Sequence, residues 1–219
     1  LLDNRFLLTD LYHSFIDEKF NIFYEHKIAS DLQNPHLANK IHQEKQKMLK
    51  HYEIFALKLV YPDFVLEQLN INYQKSVQKF SNNNYESIGI ITELKNNVPH
   101  FLHGSFAEYL AATYLSKNTR DIPVDIFFDQ KYNNVRFFFD MLSGETSPAH
   151  IAVLYKNFDL LKSYGDKILA CKDKGGRSAL HLICSWGQRH PRVEISHESN
   201  GYNVELTPSL NGKPESKEY

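Results

Sequence analysis

The sequence predicts a mainly α-helical chain with one short β-hairpin. Three observations carry that expectation. Apolar residues recur at helical spacing through most of the first 142 residues. One stretch, residues 88–102, instead places two apolar runs on either side of Lys95-Asn96-Asn97. A weak internal repeat then follows near the C-terminus. Hydrophobic residues make up 42% of the 219, enough to bury a core and too many for a wholly disordered chain.

Taken in order, residues 1–29 read as a helix, because Leu8, Leu11, Phe15, Phe20 and Phe23 alternate with Asp17, Glu18 and Lys19. A second helix starts at Asn34-Pro35, where Asn can cap and Pro is tolerated at the first position. Its stripe is Leu37, Ile41, Met48, Tyr52, Phe55 and Leu59, and Gln43 to Lys47 form a solvated face. A shorter amphipathic segment spans Phe64 to Phe80, after Tyr61-Pro62-Asp63. The run from Ser81 to Asn84 is a loop by composition.

The hairpin uses Ile88, Ile90, Ile91 and Leu94 on one side of its turn, and Val98, Phe101 and Leu102 on the other. Asn tolerates the left-handed backbone that a tight turn needs. Gly104-Ser105 opens a further helix, with Ser105 as the expected cap. Phe106, Tyr109, Leu110, Thr113, Tyr114 and Leu115 are its apolar side, and Ala107, Ala111 and Ala112 let a neighbour approach. Another helix runs from about Lys131 to Leu142 through Val135, Phe138 and Phe139.

The repeat aligns Ser147-Pro148-Ala149-His150-Ile151-Ala152 with Ser178-Ala179-Leu180-His181-Leu182-Ile183, 31 residues on. Beyond Gly187 the chain holds Pro191, Pro208 and Pro214 with no sustained periodicity, and reads as an irregular, poorly ordered tail.

Two resemblances follow from these residues. The run Phe101-Leu102-His103-Gly104-Ser105-Phe106-Ala107-Glu108-Tyr109-Leu110-Ala111-Ala112 resembles the hairpin and helix that close the winged-helix part of NACHT-type STAND proteins. These signal-transducing ATPases include the NOD-like receptors. Residues 1–80 resemble the helical stretch before it in insect-type NACHT–ankyrin proteins. The two repeat copies resemble ankyrin repeats, whose Thr-Pro-Leu-His stands here as Ser147-Pro148-Ala149-His150 and Ser178-Ala179-Leu180-His181. Lys172 to Arg177 resembles the Asp-x-x-Gly-x turn before a repeat, with Gly176 as its glycine. The spacing departs from the family's 33, and Ala149 replaces Leu.

Together the resemblances imply a helical bundle with a winged-helix-like β-hairpin, followed by ankyrin-type helix pairs. Residues 1–120 would be the end of a NACHT-type module, 121–143 a connecting helical segment, 144–187 partial ankyrin repeats, and 188–219 the tail. They imply that His103 can approach the β-phosphate of bound ADP in a parent protein. A His beside a helix N-terminus does present a donor where an anion is favoured; the alternative is a His that caps the hairpin-to-helix turn. His150 and His181 would bond the backbone of the repeat turns, with Pro148 and Gly176 shaping them.

No Gly-Lys-Ser/Thr occurs, so the chain lacks the phosphate loop of an ATPase. ADP or ATP would therefore belong only to a longer parent, and no cofactor is expected in this chain. His100 and His103 point to opposite faces of a strand, against a metal site. Glu108 reads as a helix-surface or inter-helix hydrogen-bonding residue rather than a general acid. Phe127, Phe128 and Phe137 to Phe139 read as core rather than as base-stacking platforms. Cys171 and Cys184 read as small buried residues in a reducing compartment.

The net charge of −1 offers no field for nucleic acid, and no apolar run approaches the roughly 20 residues of a membrane span. The expected role is a non-catalytic, cytoplasmic segment that binds a protein partner through an ankyrin-type surface. The alternative is a truncated nucleotide-gated signalling ATPase whose phosphate loop lies upstream. The opening Leu1 in place of Met agrees with a fragment of a longer product.

Overall fold

The computed structural model describes residues 7–27, 35–83, 85–119, 124–186, 192–198 and 201–207. It is mainly helical, and the chain divides into two compact units, residues 1–142 and 143–219.

In the first unit, helix α1 spans Leu8–Lys27 and α2 spans Pro35–Val60. Asn34, the expected cap of α2, lies outside the described residues. Short α3 (Asp63–Gln68) and α4 (Tyr73–Asn82) follow. The single segment expected from Phe64 to Phe80 is thus two helices. Asn70 adopts a left-handed φ of 52° between them, and the Asn72 side chain caps α4 by accepting from the Lys75 N–H at 3.0 Å. An Asn with αL backbone followed by an Asn that can cap is a helix stop and restart, and apolar spacing does not register it.

Strands β1 (Ile91–Lys95) and β2 (Val98–Phe101) form the expected hairpin, pairing Lys95 with Val98 across Asn96-Asn97. Both turn residues have positive φ, 53° and 62°, the requirement of the tight turn whose twist matches the strands. Helix α5 spans Gly104–Lys117, α6 Val124–Phe127 and α7 Asn133–Gly144.

The core centres on α2. Tyr52 through Leu57 are six consecutive buried residues, so the helix is enclosed on every side there rather than along one stripe. Helix α5 lies against it, and Ala107, Ala111 and Ala112, all at most 1% exposed, give the close approach their size predicts. Phe20, Tyr52, Phe55 and Phe80 interlock edge to face around this point. Leu11, Leu59 and Phe64 were expected inside and are exposed, because the buried faces are set by Ile16, Phe20 and Tyr24 on α1 and by the enclosed turn of α2.

In the second unit, α8 spans Pro148–Leu154, α9 Phe158–Tyr164 and α10 Ala179–Ser185. The turn Tyr155-Lys156-Asn157 folds α9 against α8. Lys156 has φ 54° and Asn157 caps α9 through the Leu160 N–H. A 3-10 segment, Gly165–Leu169, follows, and α10 packs on α8.

Strands β3 (Arg192–Glu198) and β4 (Gly201–Thr207) pair antiparallel from Arg192↔Thr207 to Glu198↔Gly201. Part of the tail expected to be irregular over 188–219 is thus paired strand, at 192–198 and 201–207, and the rest of it lies outside the described residues. Val193 and Ile195 against Val204 and Leu206 alternate with period two, and the Asn200-Gly201 dipeptide between them is a hairpin signal. The alternation is short and flanked by Pro191 and Pro208, so it does not stand out as a sustained pattern.

Candidate functional site

The most strongly organised polar site lies in the second unit, where α8 meets the turn Lys172–Ser178. The turn closes through an isolated antiparallel bridge between Lys172 and Ser178. Asp173 N–H donates to the Arg177 carbonyl at 2.9 Å, and Gly176 N–H donates to the Asp173 carbonyl at 2.9 Å. Gly176 has φ 79°, a conformation glycine adopts without penalty.

Asp173 locks this turn. Its side chain is fully buried, and Oδ1 accepts from the Gly175 N–H at 2.9 Å and the Arg177 N–H at 2.8 Å. Oδ2 accepts from the Arg177 guanidinium Nε at 2.7 Å. A buried carboxylate is tolerated only when its lone pairs are taken in this way. Lys174 ties the turn to the end of α7, through its N–H to the Ser143 carbonyl at 3.0 Å and through its ammonium to Glu145.

His150 joins α8 to the turn. It is 0% exposed, and Nε2 lies 2.9 Å from the Arg177 carbonyl oxygen. A carbonyl only accepts, so Nε2 carries the proton. Nδ1 then accepts from the Ser147 hydroxyl at 2.7 Å. Burial holds the His150 pKa below the usual imidazole value. The Arg177 carbonyl and Asp173 act the other way, and Arg177 and Lys172 add to the depression. The imidazole is neutral and spans two segments of chain. Pro148 stands at the start of α8, where its missing N–H costs nothing.

His181, in the second copy, behaves differently. It is exposed, and Nδ1 closes a reciprocal cap with Ser178, which itself accepts from the His181 N–H. Among the described residues it bonds no later turn. Sequence reasoning placed Asp173 in the Asp-x-x-Gly-x resemblance without giving it a role; that role is to accept from the Gly175 and Arg177 N–H groups.

In the first unit, His103 rather than Ser105 caps α5. His103 Nδ1 accepts from the Ser105 N–H at 3.2 Å and lies 2.7 Å from its hydroxyl oxygen. His103 is exposed, and that nitrogen is engaged in the cap. His100 lies across from Glu93 on the exposed side of the hairpin. No group of three metal-ligating side chains occurs among the described residues. Glu108 accepts from the Asn134 side-chain amide at 3.0 Å, linking α5 to α7.

Phe127 is buried, whereas Phe128 is 49% exposed beneath the Arg136 guanidinium, a cation–π placement that corrects its expected core role. Cys171 is half-buried and Cys184 exposed, also contrary to expectation, because Cys184 falls on the outer side of α10. A shallow depression of about 490 Å³ at the α3–α4 turn is lined by Glu67, Asn70, Ile71, Asn72, Tyr73 and Gln74, with no nucleophile–base pair among them. No helix among the described residues is long and apolar enough to cross a membrane.

No family model, curated protein or solved structure matches the chain.

Proposed function

We propose that the chain is a non-catalytic cytoplasmic interaction segment, with ankyrin-type repeat units joined to the winged-helix end of a NACHT-type regulatory module. The observation that carries this reading is the bond from His150 to the Arg177 carbonyl. A histidine in the first Ser-Pro-Ala-His copy holds the turn that opens the second. Repeat arrays are stabilised by such nearest-neighbour interfaces, because one unit cannot bury its own apolar face.

The Asp173 lock and the positive φ of Gly176 support the same reading, since they hold the turn rigid without a ligand. A rigid turn beside a helix pair suits protein recognition, where preorganisation saves ordering entropy. Partner binding would use these turns, with nucleotide reserved for a longer parent.

Asp173→Ala should abolish partner capture by the full chain while the helical signal of residues 1–142 persists. Capture unchanged in both Asp173→Ala and His150→Ala overturns the reading. The alternative, a regulatory arm of a nucleotide-gated ATPase, draws on His103 at the start of α5. Calorimetric ADP binding that His103→Ala removes would favour it.

A further inference from the structure

We propose that β3 is the pairing edge of a homodimer, in which the outer edge of β3 joins that of a second copy antiparallel, about a two-fold axis at Ile195.

The backbone of the hairpin decides which groups face outward. Only two residues separate Glu198 from Gly201, and across so short a turn the flanking residues exchange both of their hydrogen bonds. The pattern alternates along an antiparallel ladder, so Ser196, Glu194 and Arg192 also bond to β4, through Asn203, Glu205 and Thr207. The N–H and C=O groups of Val193, Ile195 and His197 therefore face away from β4. Among the described residues β3 has no other strand beside it, whereas β4 lies against α9 and the Gly165–Leu169 segment. Strand β3 is 7 residues long and contains neither Pro nor Lys, the residues that commonly blunt an edge. A two-stranded ribbon is marginal by itself, and further strands stabilise it.

The sequence of β3 selects the occupant. Antiparallel pairing of two identical strands about Ile195 sets Val193 against His197 of the second copy and Ile195 against its own counterpart, so every outward N–H meets an outward C=O. In the same register Arg192 stands opposite Glu198 of the second copy, and Glu198 opposite Arg192 of the second copy. These are non-hydrogen-bonded positions, where the Cα atoms come closest and a cross-strand charge pair is favourable. Moving the axis to Glu194 opposes the two copies of Glu194, and moving it to Ser196 opposes Glu194 to Glu198 twice. Like charges directly opposite are unfavourable. The chain's own charges thus fix the register, and the symmetric pairing closes rather than propagating.

Sedimentation equilibrium of the full chain, up to about 100 μM, should show a species of twice the chain's 25.6 kDa. Arg192→Glu and Glu198→Arg should each weaken dimerisation about tenfold or more, since each sets like charges opposite one another at both ends of the paired strands. An equimolar mixture of the two variants should recover the native affinity, because one copy then carries only acidic residues at positions 192 and 198 and the other only basic ones. Ile195→Pro removes the outward N–H at the axis, leaves the ladder to β4 intact and should leave the chain monomeric. The charge variants keep every backbone donor, so they test the pairing even if the proline variant fails to fold. A native chain that stays monomeric overturns the proposal. So does a dimer that a folded Ile195→Pro variant preserves, or a mixture of the charge variants that fails to associate.

Discussion

His150 Nε2 lies 2.9 Å from the Arg177 carbonyl oxygen, across 27 residues of chain, and that same oxygen accepts from the Asp173 N–H. One carbonyl thus ties α8 to the turn and the turn to itself. Because burial depresses the His150 pKa, the unfolded chain binds a proton there more readily than the folded one. The stability that His150 contributes is complete above the ordinary imidazole value of 6.5 and is lost as pH falls through the depressed folded value. Protection of the amides at residues 172–178, relative to their intrinsic exchange rates, should fall over that window. His150→Ala should remove the dependence and cost about 2–4 kcal/mol, since it leaves a cavity and takes the partner from the Ser147 hydroxyl, while the Arg177 carbonyl keeps the Asp173 N–H. Protection at residues 172–178 that does not change with pH in the native chain would refute this.

Gly144 should resist any side chain. A Cβ built there would lie 2.8 Å from the His150 Cβ, and the His150 ring is held at both nitrogens. Gly144→Ala is therefore expected to destabilise the second unit by about 1–3 kcal/mol. Thermal unfolding would measure it, and an unchanged midpoint would show that residue 144 and His150 can move apart without cost.

Glu53 is 4% exposed and pairs with the Lys117 ammonium at 2.6 Å, yet burial raises its pKa despite that partner. Desolvation outweighs the pairing. The folded state holds its proton more tightly than the unfolded state, so this group favours folding at low pH and costs stability as pH rises through the raised folded value. Glu53→Gln should then stabilise the chain at neutral pH by about 1 kcal/mol, with Lys117, already 54% exposed, turning to water. Denaturant midpoints at neutral and acidic pH would test it; destabilisation at neutral pH would mean that the pair is net favourable.

The β1–β2 turn provides a backbone test. Asn97 has φ 62°, and its carbonyl accepts the Tyr73 hydroxyl, a bond that survives any side-chain change. Asn97→Gly should stabilise the hairpin by a few tenths of a kcal/mol, whereas Asn97→Val should cost about 1–2 kcal/mol, because a β-branched residue is strained at positive φ. Melting curves of the two variants should bracket the native chain.

Much of the architecture was legible in the residues. The hairpin about Asn96-Asn97 and the helix behind it appear where composition and spacing put them. Ala107, Ala111 and Ala112 pack as small residues should. The candidate site was half legible. The two His-bearing copies and the Asp173–Gly176 turn could be seen, but not that the Asp173 carboxylate is buried and locks the turn, since an Asp in a Lys-rich loop ordinarily reads as solvated. His103 was visible as a cap alternative only because its place at a helix start was recognised.

By itself the sequence determined the local elements, because helical spacing, tight-turn asparagines and a prolyl helix start act within a few residues of each other. Which of those residues are inside was decided by tertiary structure. Phe20 is buried and Leu11, on the same helix, is not; Tyr52 through Leu57 are enclosed all round. His150 and His181 share a motif, yet among the described residues only His150 meets a distant carbonyl. A side chain's neighbours across 27 residues depend on how whole elements pack, and periodicity carries no record of that.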